Sequence, residues 1–117
     1  MKRRLKPLLP SLREKKRYVA YEILSSHQFD GRQANQAIKD AAQTFLGTLG
    51  MAKAGIITLD DEFNPAKQRG MARVNHKKTD EFKASLVMIK QIDGKDVIVR
   101  SVGASGMLRK TKENYLS

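Results

Sequence analysis

The stretch Tyr18-Val19-Ala20-Tyr21-Glu22-Ile23-Leu24-Ser25, residues 18–25, decides the architecture. Aromatic and β-branched residues favour a strand, and the strand period of two puts Val19, Tyr21 and Ile23 on one side and Tyr18, Ala20, Glu22 and Leu24 on the other. Both sides carry apolar groups, so this strand belongs inside a sheet and not at its edge.

Downstream of it, Asp30 stands three residues before Gln33, a capping-box spacing that opens a helix over residues 32–48. Ala34, Ala37, Ile38, Ala41, Phe45, Thr48 and Leu49 recur at spacings of three and four and form its apolar stripe, and Gly47 and Gly50 are expected to end it. Residues 54–59 (AGIITL) read as a second strand. An acidic turn of Asp60, Asp61 and Glu62 follows, and then a long loop punctuated by Asn64 and Pro65. Met71 to Asn75 supplies a third strand, antiparallel to the second.

Thr79 or Asp80 caps a second helix that is expected to run to about Gln91, with Phe82, Ser85, Leu86 and Ile89 buried. The pair Asp93-Gly94 breaks it, and residues 96–102 give a fourth strand. The order strand, helix, strand, strand, helix, strand predicts an α+β chain: a ferredoxin-like or RRM-like two-layer sandwich, βαββαβ, with a four-stranded antiparallel sheet and both helices on one face. Residues 1–16 read as a basic N-terminal arm, 17–104 as the domain, and 105–117 as a basic C-terminal segment. The apolar side of the sheet away from the helices, or the loop over residues 60–70, is expected to be covered by another protein.

Charge points to the partner. Of a formal net charge of +11 over 117 residues, roughly two thirds lies in residues 1–17, where Lys2, Arg3, Arg4, Lys6, Arg13, Lys15, Lys16 and Arg17 face one acid, Glu14. Such a field favours a polyanion, and each phosphate neutralised releases a counterion. An acidic protein, an anionic membrane surface and a solvated basic tail are the competing readings. Arg73 on the third strand, Lys67 and Arg69 in the loop before it, and Arg100, Arg109, Lys110 and Lys112 around residues 103–106 extend the basic set. Gly103-Ala104-Ser105-Gly106 reads as a turn whose backbone amides, with Ser105, meet a phosphate.

Catalytic chemistry has little to stand on. Cysteine is absent, and His27 and His76 belong to no spaced ligand set, so neither a thiolate site nor a metal centre is expected; Asp60, Asp61 and Glu62 read as a solubilising turn. Ser105 lacks the Gly-x-Ser-x-Gly elbow of hydrolases. No apolar run reaches the roughly 18 residues of a membrane helix, and the N-terminus lacks a secretory core, which makes a cytoplasmic location the expectation. The third strand has no aromatic residue, and Tyr18 and Tyr21 fall on opposite faces, so shape and phosphate contacts are expected to outweigh base stacking. A ribosome-associated or other structural RNA-binding protein and a ligand-binding regulatory domain of the same fold remain as alternatives.

Three segments carry a family resemblance. Residues 9–23 (LPSLREKKRYVAYEI) resemble the start of archaeal ribonuclease P protein component 2, the archaeal counterpart of a small Pop-type subunit of eukaryotic ribonuclease P and MRP. Residues 69–76 (RGMARVNH) are similar to its central strand motif, and residues 101–110 (SVGASGMLRK) to its near-terminal valine-glycine-x-serine-glycine stretch, with Met107 where threonine is common. The resemblance implies a subunit supporting RNA-catalysed removal of the 5′ leader from precursor tRNA. It implies that ribonuclease P RNA carries the active site and its Mg2+, and that this chain holds no catalytic residue or cofactor. The implied protein partner is the TIM-barrel-like protein component 3, in a heterotetramer. The RNA-binding residues expected are Arg13, Lys15, Lys16, Arg17, Lys67, Arg69, Arg73, Arg100, Ser105, Arg109, Lys110 and Lys112.

Overall fold

The computed structural model describes residues 15–117. Strand β1 (Lys16–Leu24) is followed by helix α1 (Gly31–Ala54), β2 (Ile57–Thr58), β3 (Arg69–Asn75) and α2 (Thr79–Val87). A short hairpin, β4 (Gln91–Ile92) and β5 (Lys95–Asp96), leads to β6 (Ile98–Ser105), and α3 (Leu108–Thr111) runs into a wide helical turn, Lys112–Leu116. The main sheet has the order β2-β3-β1-β6 with every pair antiparallel. This is the ferredoxin-like arrangement expected from the sequence, with β1 inside the sheet as its two apolar sides require.

The larger core lies between the sheet and helices α1 and α2. Val19, Tyr21 and Ile23 of β1 and Ala72 and Val74 of β3 meet Ala34, Ile38 and Ala42 of α1 and Phe82 and Leu86 of α2. The capping box is present: the Asp30 carboxylate accepts from the Gln33 amide at 2.8 Å, and Gln33 Oε1 accepts from the Asp30 amide at 3.1 Å. The predicted stripe holds in its first half only. Ala34 and Ile38 are buried, but Phe45 and Leu49 are 44% and 69% exposed, and the buried Asn35 was missing from it. Asn35 Oδ1 accepts from the Tyr21 hydroxyl at 2.5 Å, so this amide packs as part of the core. Burial and the nearby charge of Asp60 both push the Tyr21 hydroxyl pKa upward, which keeps it a donor.

Several expected boundaries are corrected. Gly47, at φ 74°, kinks α1 without ending it; the helix resumes through Gly50 and stops at Gly55, whose amide donates to Met51 O at 3.0 Å. The second strand shrinks accordingly to two residues, because Ala54 is the buried end of the helix. Helix α2 ends at Val87, short of Gln91, since Asp93-Gly94 forms the tip of the β4–β5 hairpin with φ of 52° and 78°. Positive φ at both central residues is what a tight hairpin turn needs. The fourth strand of the main sheet starts at Ile98 and runs on through Ser105.

That last extension overturns the expected turn. Gly103 pairs with Ala20, Ala104 with Val19 and Ser105 with Tyr18, after a bulge opposite Ala20 and Tyr21. Gly103 is a close-approach residue: an added Cβ would sit 2.0 Å from Tyr115 Cζ. Gly106 is not among the glycines of positive φ. The phosphate-turn reading of residues 103–106 has no backbone to support it, and the Ser105 hydroxyl accepts from the Met107 amide at 3.2 Å.

The second sheet face is likewise corrected. Part of it is covered by this chain's own end: Tyr115 and Leu116 pack on Ala20 and Met71, with Tyr18, Leu59 and Val102 around them. Asn64 Nδ2 donates to Leu116 O at 2.6 Å and Arg69 Nη1 to Tyr115 O at 3.0 Å, tying the end down.

Candidate nucleic-acid interface

Cross-strand pairing sorts the second face into rows. One row runs Ile57, Arg73, Tyr18, Ser105 across all four strands. The next, Met71, Ala20, Gly103, lies beneath Tyr115 and Leu116. The third, Arg69, Glu22, Arg100, is neutralised internally. Arg69 Nε is 2.9 Å from Glu22 Oε2, and Arg100 Nη2 is 2.8 Å from Oε1. Partial burial raises the Glu22 pKa, but hydrogen bonds from Arg100 and Arg69 and their two charges outweigh it, so the carboxyl stays below its ordinary 4.5.

The twelve expected RNA-binding residues divide on this map. Arg13 lies outside the described residues. Arg69 and Arg100 are held by Glu22, Arg109 by Glu113 at 3.2 Å, and Lys112 by Glu62 at 3.0 Å. The Lys67 ammonium donates to Ser117 O. Lys15, Arg17 and Lys110 are exposed, and Arg73 is half-buried; none of the four has an ion pair among the described residues. Lys16 is half-buried, and Ser105 is the strand-end hydroxyl described above.

Arg17 lies opposite Val74 on the helix-bearing face. There it lines a cleft of about 390 Å3 with His76, Thr79, Asp80, Lys83 and Ala104. The cleft forms because β1 enters beside the start of α2: the Lys15 carbonyl accepts from the His76 amide at 2.8 Å and lies 3.2 Å from its Nδ1. His76, exposed Lys77 and Lys83 therefore join the basic set, although sequence reasoning left them out. The run His76-Lys77-Lys78 was the available signal, but nothing local tied it to β1. Asp80 is the acid within the cleft, and Lys78 is turned to Glu81 at 3.4 Å.

Among the described residues, no group of His, Asp and Glu comes together that could hold a metal ion. None of their helices is long and apolar enough to cross a membrane. A second groove, about 640 Å3, lies between α1 and the β4–β5 hairpin, with Ala37, Ala41, Phe45, Met88 and Ile92 in its apolar lining.

The match that decides the lineage covers residues 17–116, almost all of the chain, against the model of the Rpp14/Pop5 family. The chain belongs to that family. It is 34% identical over 117 residues to ribonuclease P protein component 2 of Pyrococcus furiosus, covering 100% of this chain and 96% of that protein. The component of the same name from Thermococcus gammatolerans is 33% identical over 117 residues with the same coverage. That of Methanocaldococcus jannaschii is 34% identical over 112 residues, 96% of this chain and 81% of the relative. A chain in the cryo-EM structure of yeast ribonuclease MRP shares the fold, with a TM-score of 0.60 and 22% identity over 82% of this chain and 77% of its own. The family match reaches through α3 to Leu116, so the segment closing the second sheet face falls within the matched region.

Proposed function

We propose that this chain is a protein subunit of ribonuclease P that supports RNA-catalysed removal of the 5′ leader from precursor tRNA. The observation that carries the reading is the end-to-end match to ribonuclease P protein component 2 of several archaea. A chain of net charge +11, in which Lys15 and Arg17 are exposed without an ion pair among the described residues, is suited to that role. In this reading the RNA holds the Mg2+ and performs the reaction. The chain's own contribution is electrostatic: Lys15, Arg17, Lys77 and Lys83 face phosphates from one end of the domain, and the basic arm of residues 1–16, Arg13 included, adds to the charge that the RNA meets. Neutralising phosphates near the catalytic RNA lowers the Mg2+ concentration the RNA needs.

The protein partner in this reading is the TIM-barrel-like component 3, in a two-plus-two assembly within the cytoplasm. The apolar groove beside α1, with Phe45 and Met88 exposed at 44% and 58%, supports a protein contact. The test is purification of the tagged chain from its own cells, followed by sequencing of the RNA that accompanies it. Ribonuclease P RNA and component 3 are expected, together with cleavage of precursor tRNA by the purified complex and none by RNA-free protein. Enrichment of ribosomal RNA instead, or metal-dependent cleavage by RNA-free protein, overturns the reading.

A further inference from the structure

The three rows of the second sheet face differ in one respect that matters for a ligand. The middle row is covered by Tyr115 and Leu116, and the Arg69-Glu22-Arg100 row is satisfied within the chain. The row Ile57, Arg73, Tyr18, Ser105 is engaged only in part: Tyr18 borders the packed end and the Ser105 hydroxyl accepts from the Met107 amide, while the Arg73 guanidinium has no partner among the described residues. Ile57 is 44% exposed, and Arg73, Tyr18 and Ser105 are each half-buried. Arg73 Nε is buried without a hydrogen-bond partner, and no acid pairs with its guanidinium among the described residues. A buried cationic donor left without an acceptor is unfavourable, and an acceptor supplied by a ligand would relieve the cost at this guanidinium.

We propose that this row seats one unpaired nucleotide of an RNA strand, its base lying against the Tyr18 ring and the Arg73 guanidinium. The inference rests on the RNA-binding reading above and names the site within it. Tyr18 and Arg73 are direct cross-strand neighbours, so their planar groups stand side by side on one face. Guanidinium planes stack on bases as aromatic rings do, and the terminal guanidinium N–H groups, which are not among the buried unpaired atoms, meet a phosphate, ribose or base oxygen at the edge of the stack. This supplies what the third strand lacks in aromatic residues: Arg73 stands where a second ring would.

Ser105 adds a hydroxyl on the far side of Tyr18, and Ile57 an apolar edge beside Arg73. The strand must be single at this point, because a base inside a duplex shows no face to a ring. The seat takes one base, because the adjoining row is already under Tyr115 and Leu116.

The test uses the full chain with two labelled probes, a hexa-adenylate strand and a 12-base-pair RNA duplex, read by fluorescence anisotropy across a salt series. Tyr18→Leu is expected to weaken hexa-adenylate binding about fivefold or more, and Tyr18→Phe, which keeps the ring, to bind as wild type. Arg73→Lys keeps the charge but loses the plane and the Nε–H. It is expected to weaken the single strand by a comparable factor with an unchanged salt slope, while duplex binding moves less than about twofold for every variant.

Thermal melts by circular dichroism establish folding. Irradiation of wild-type protein with a hexamer carrying one 4-thiouridine, mapped by mass spectrometry, needs no variant; cross-links on β1 or β3 of this row are expected. Wild-type affinity for hexa-adenylate in Tyr18→Leu, equal losses on both probes, or cross-links confined to other elements overturns the seat. Wild-type protein that binds neither probe overturns the RNA-binding reading along with it.

Discussion

Gly103→Ala separates a packing glycine from a phosphate-binding one. The added Cβ would lie 2.0 Å from Tyr115 Cζ, 2.3 Å from its hydroxyl oxygen and 2.4 Å from Cε1. Carbon atoms sit comfortably at about 3.5–4.0 Å, so the ring must retreat by roughly 1.5 Å. Tyr115 is half-buried, which leaves its ring room to move, but Leu116 beside it is only 4% exposed and closes the small core over Ala20 and Met71. If the ring alone swings aside, overpacking of this kind costs about 1–3 kcal/mol. If the segment lifts, the burial of Leu116, worth about 1.5–3 kcal/mol, is lost, along with the hydrogen bonds from Asn64 and Arg69 at about 1 kcal/mol each. The core beneath α1 and α2 is on the other face and stays intact. The expected result is a folded variant destabilised by about 1–3 kcal/mol in chemical denaturation, with faster amide exchange in residues 108–117 by mass spectrometry. An unchanged midpoint and unchanged exchange, coupled with a loss of RNA binding, would refute the packing argument and restore a ligand role for the glycine.

Gly70→Ala is expected to be far more damaging, because its Cβ would meet the Tyr21 hydroxyl and ring at 2.3–2.8 Å and Tyr21 is fully buried and bonded to Asn35; a melt within about 5 °C of wild type contradicts this. Glu22 has a lowered folded pKa, so its stabilising contribution is present above the unfolded value and is lost as pH falls through the folded one. Glu22→Gln should therefore lower stability at pH 7 and flatten its decline below about pH 4.5, and parallel pH curves for the two proteins count against the ion triad. For RNA binding, Arg17→Ala and Lys83→Ala together should reduce the salt slope by up to about two phosphate equivalents, whereas Arg100→Ala should leave it nearly unchanged; the reverse pattern in anisotropy titrations would locate the RNA on the paired face.

The parts of the fold that were legible in the sequence are those written in local pattern. Period two from Tyr18, the Asp30-Gln33 spacing and the burial of Phe82, Ser85, Leu86 and Ile89 each need only a few neighbours to be read, and each is present in the structure, although the strand stops at Leu24 and Ile89 lies just beyond the helix. What escaped depends on distant partners. The length of α1 turns on Gly47, which adopts a left-handed kink that the helix survives, and the sequence reads the same whether a helix stops or bends there. The Asp93-Gly94 pair reads as a breaker, but its role as a hairpin tip depends on Gln91 and Ile92 pairing with Asp96 and Lys95. Period two puts Glu22 on the side of β1 where the structure has it, yet its pairing with Arg69 and Arg100 needs the register of both neighbouring strands. For that reason two arginines that looked available for phosphate are held within the chain. The C-terminal residues looked like a charged tail because their anchoring groups, Thr111, Tyr115 and Leu116, are scattered among Arg109, Lys110 and Lys112.

The closed middle row also dictates how this domain can meet RNA in the proposed role. Modules of this fold that bind RNA commonly lay several bases across the sheet, but Tyr115 and Leu116 stand where those bases would lie. Contact is pushed to one end of the sheet, and β1 serves both of its faces there. Strand alternation sends Arg17 to the helix-bearing side, beside His76 and Lys83, and sends Lys16 and Tyr18 to the other, with Arg73 next to Tyr18. In that role, consecutive residues of one strand would meet the RNA around an edge instead of across a plane. A path around an edge suits a folded RNA with a bulged nucleotide: phosphates approach Arg17 and Lys83 on one side while a single base reaches Tyr18 and Arg73 on the other.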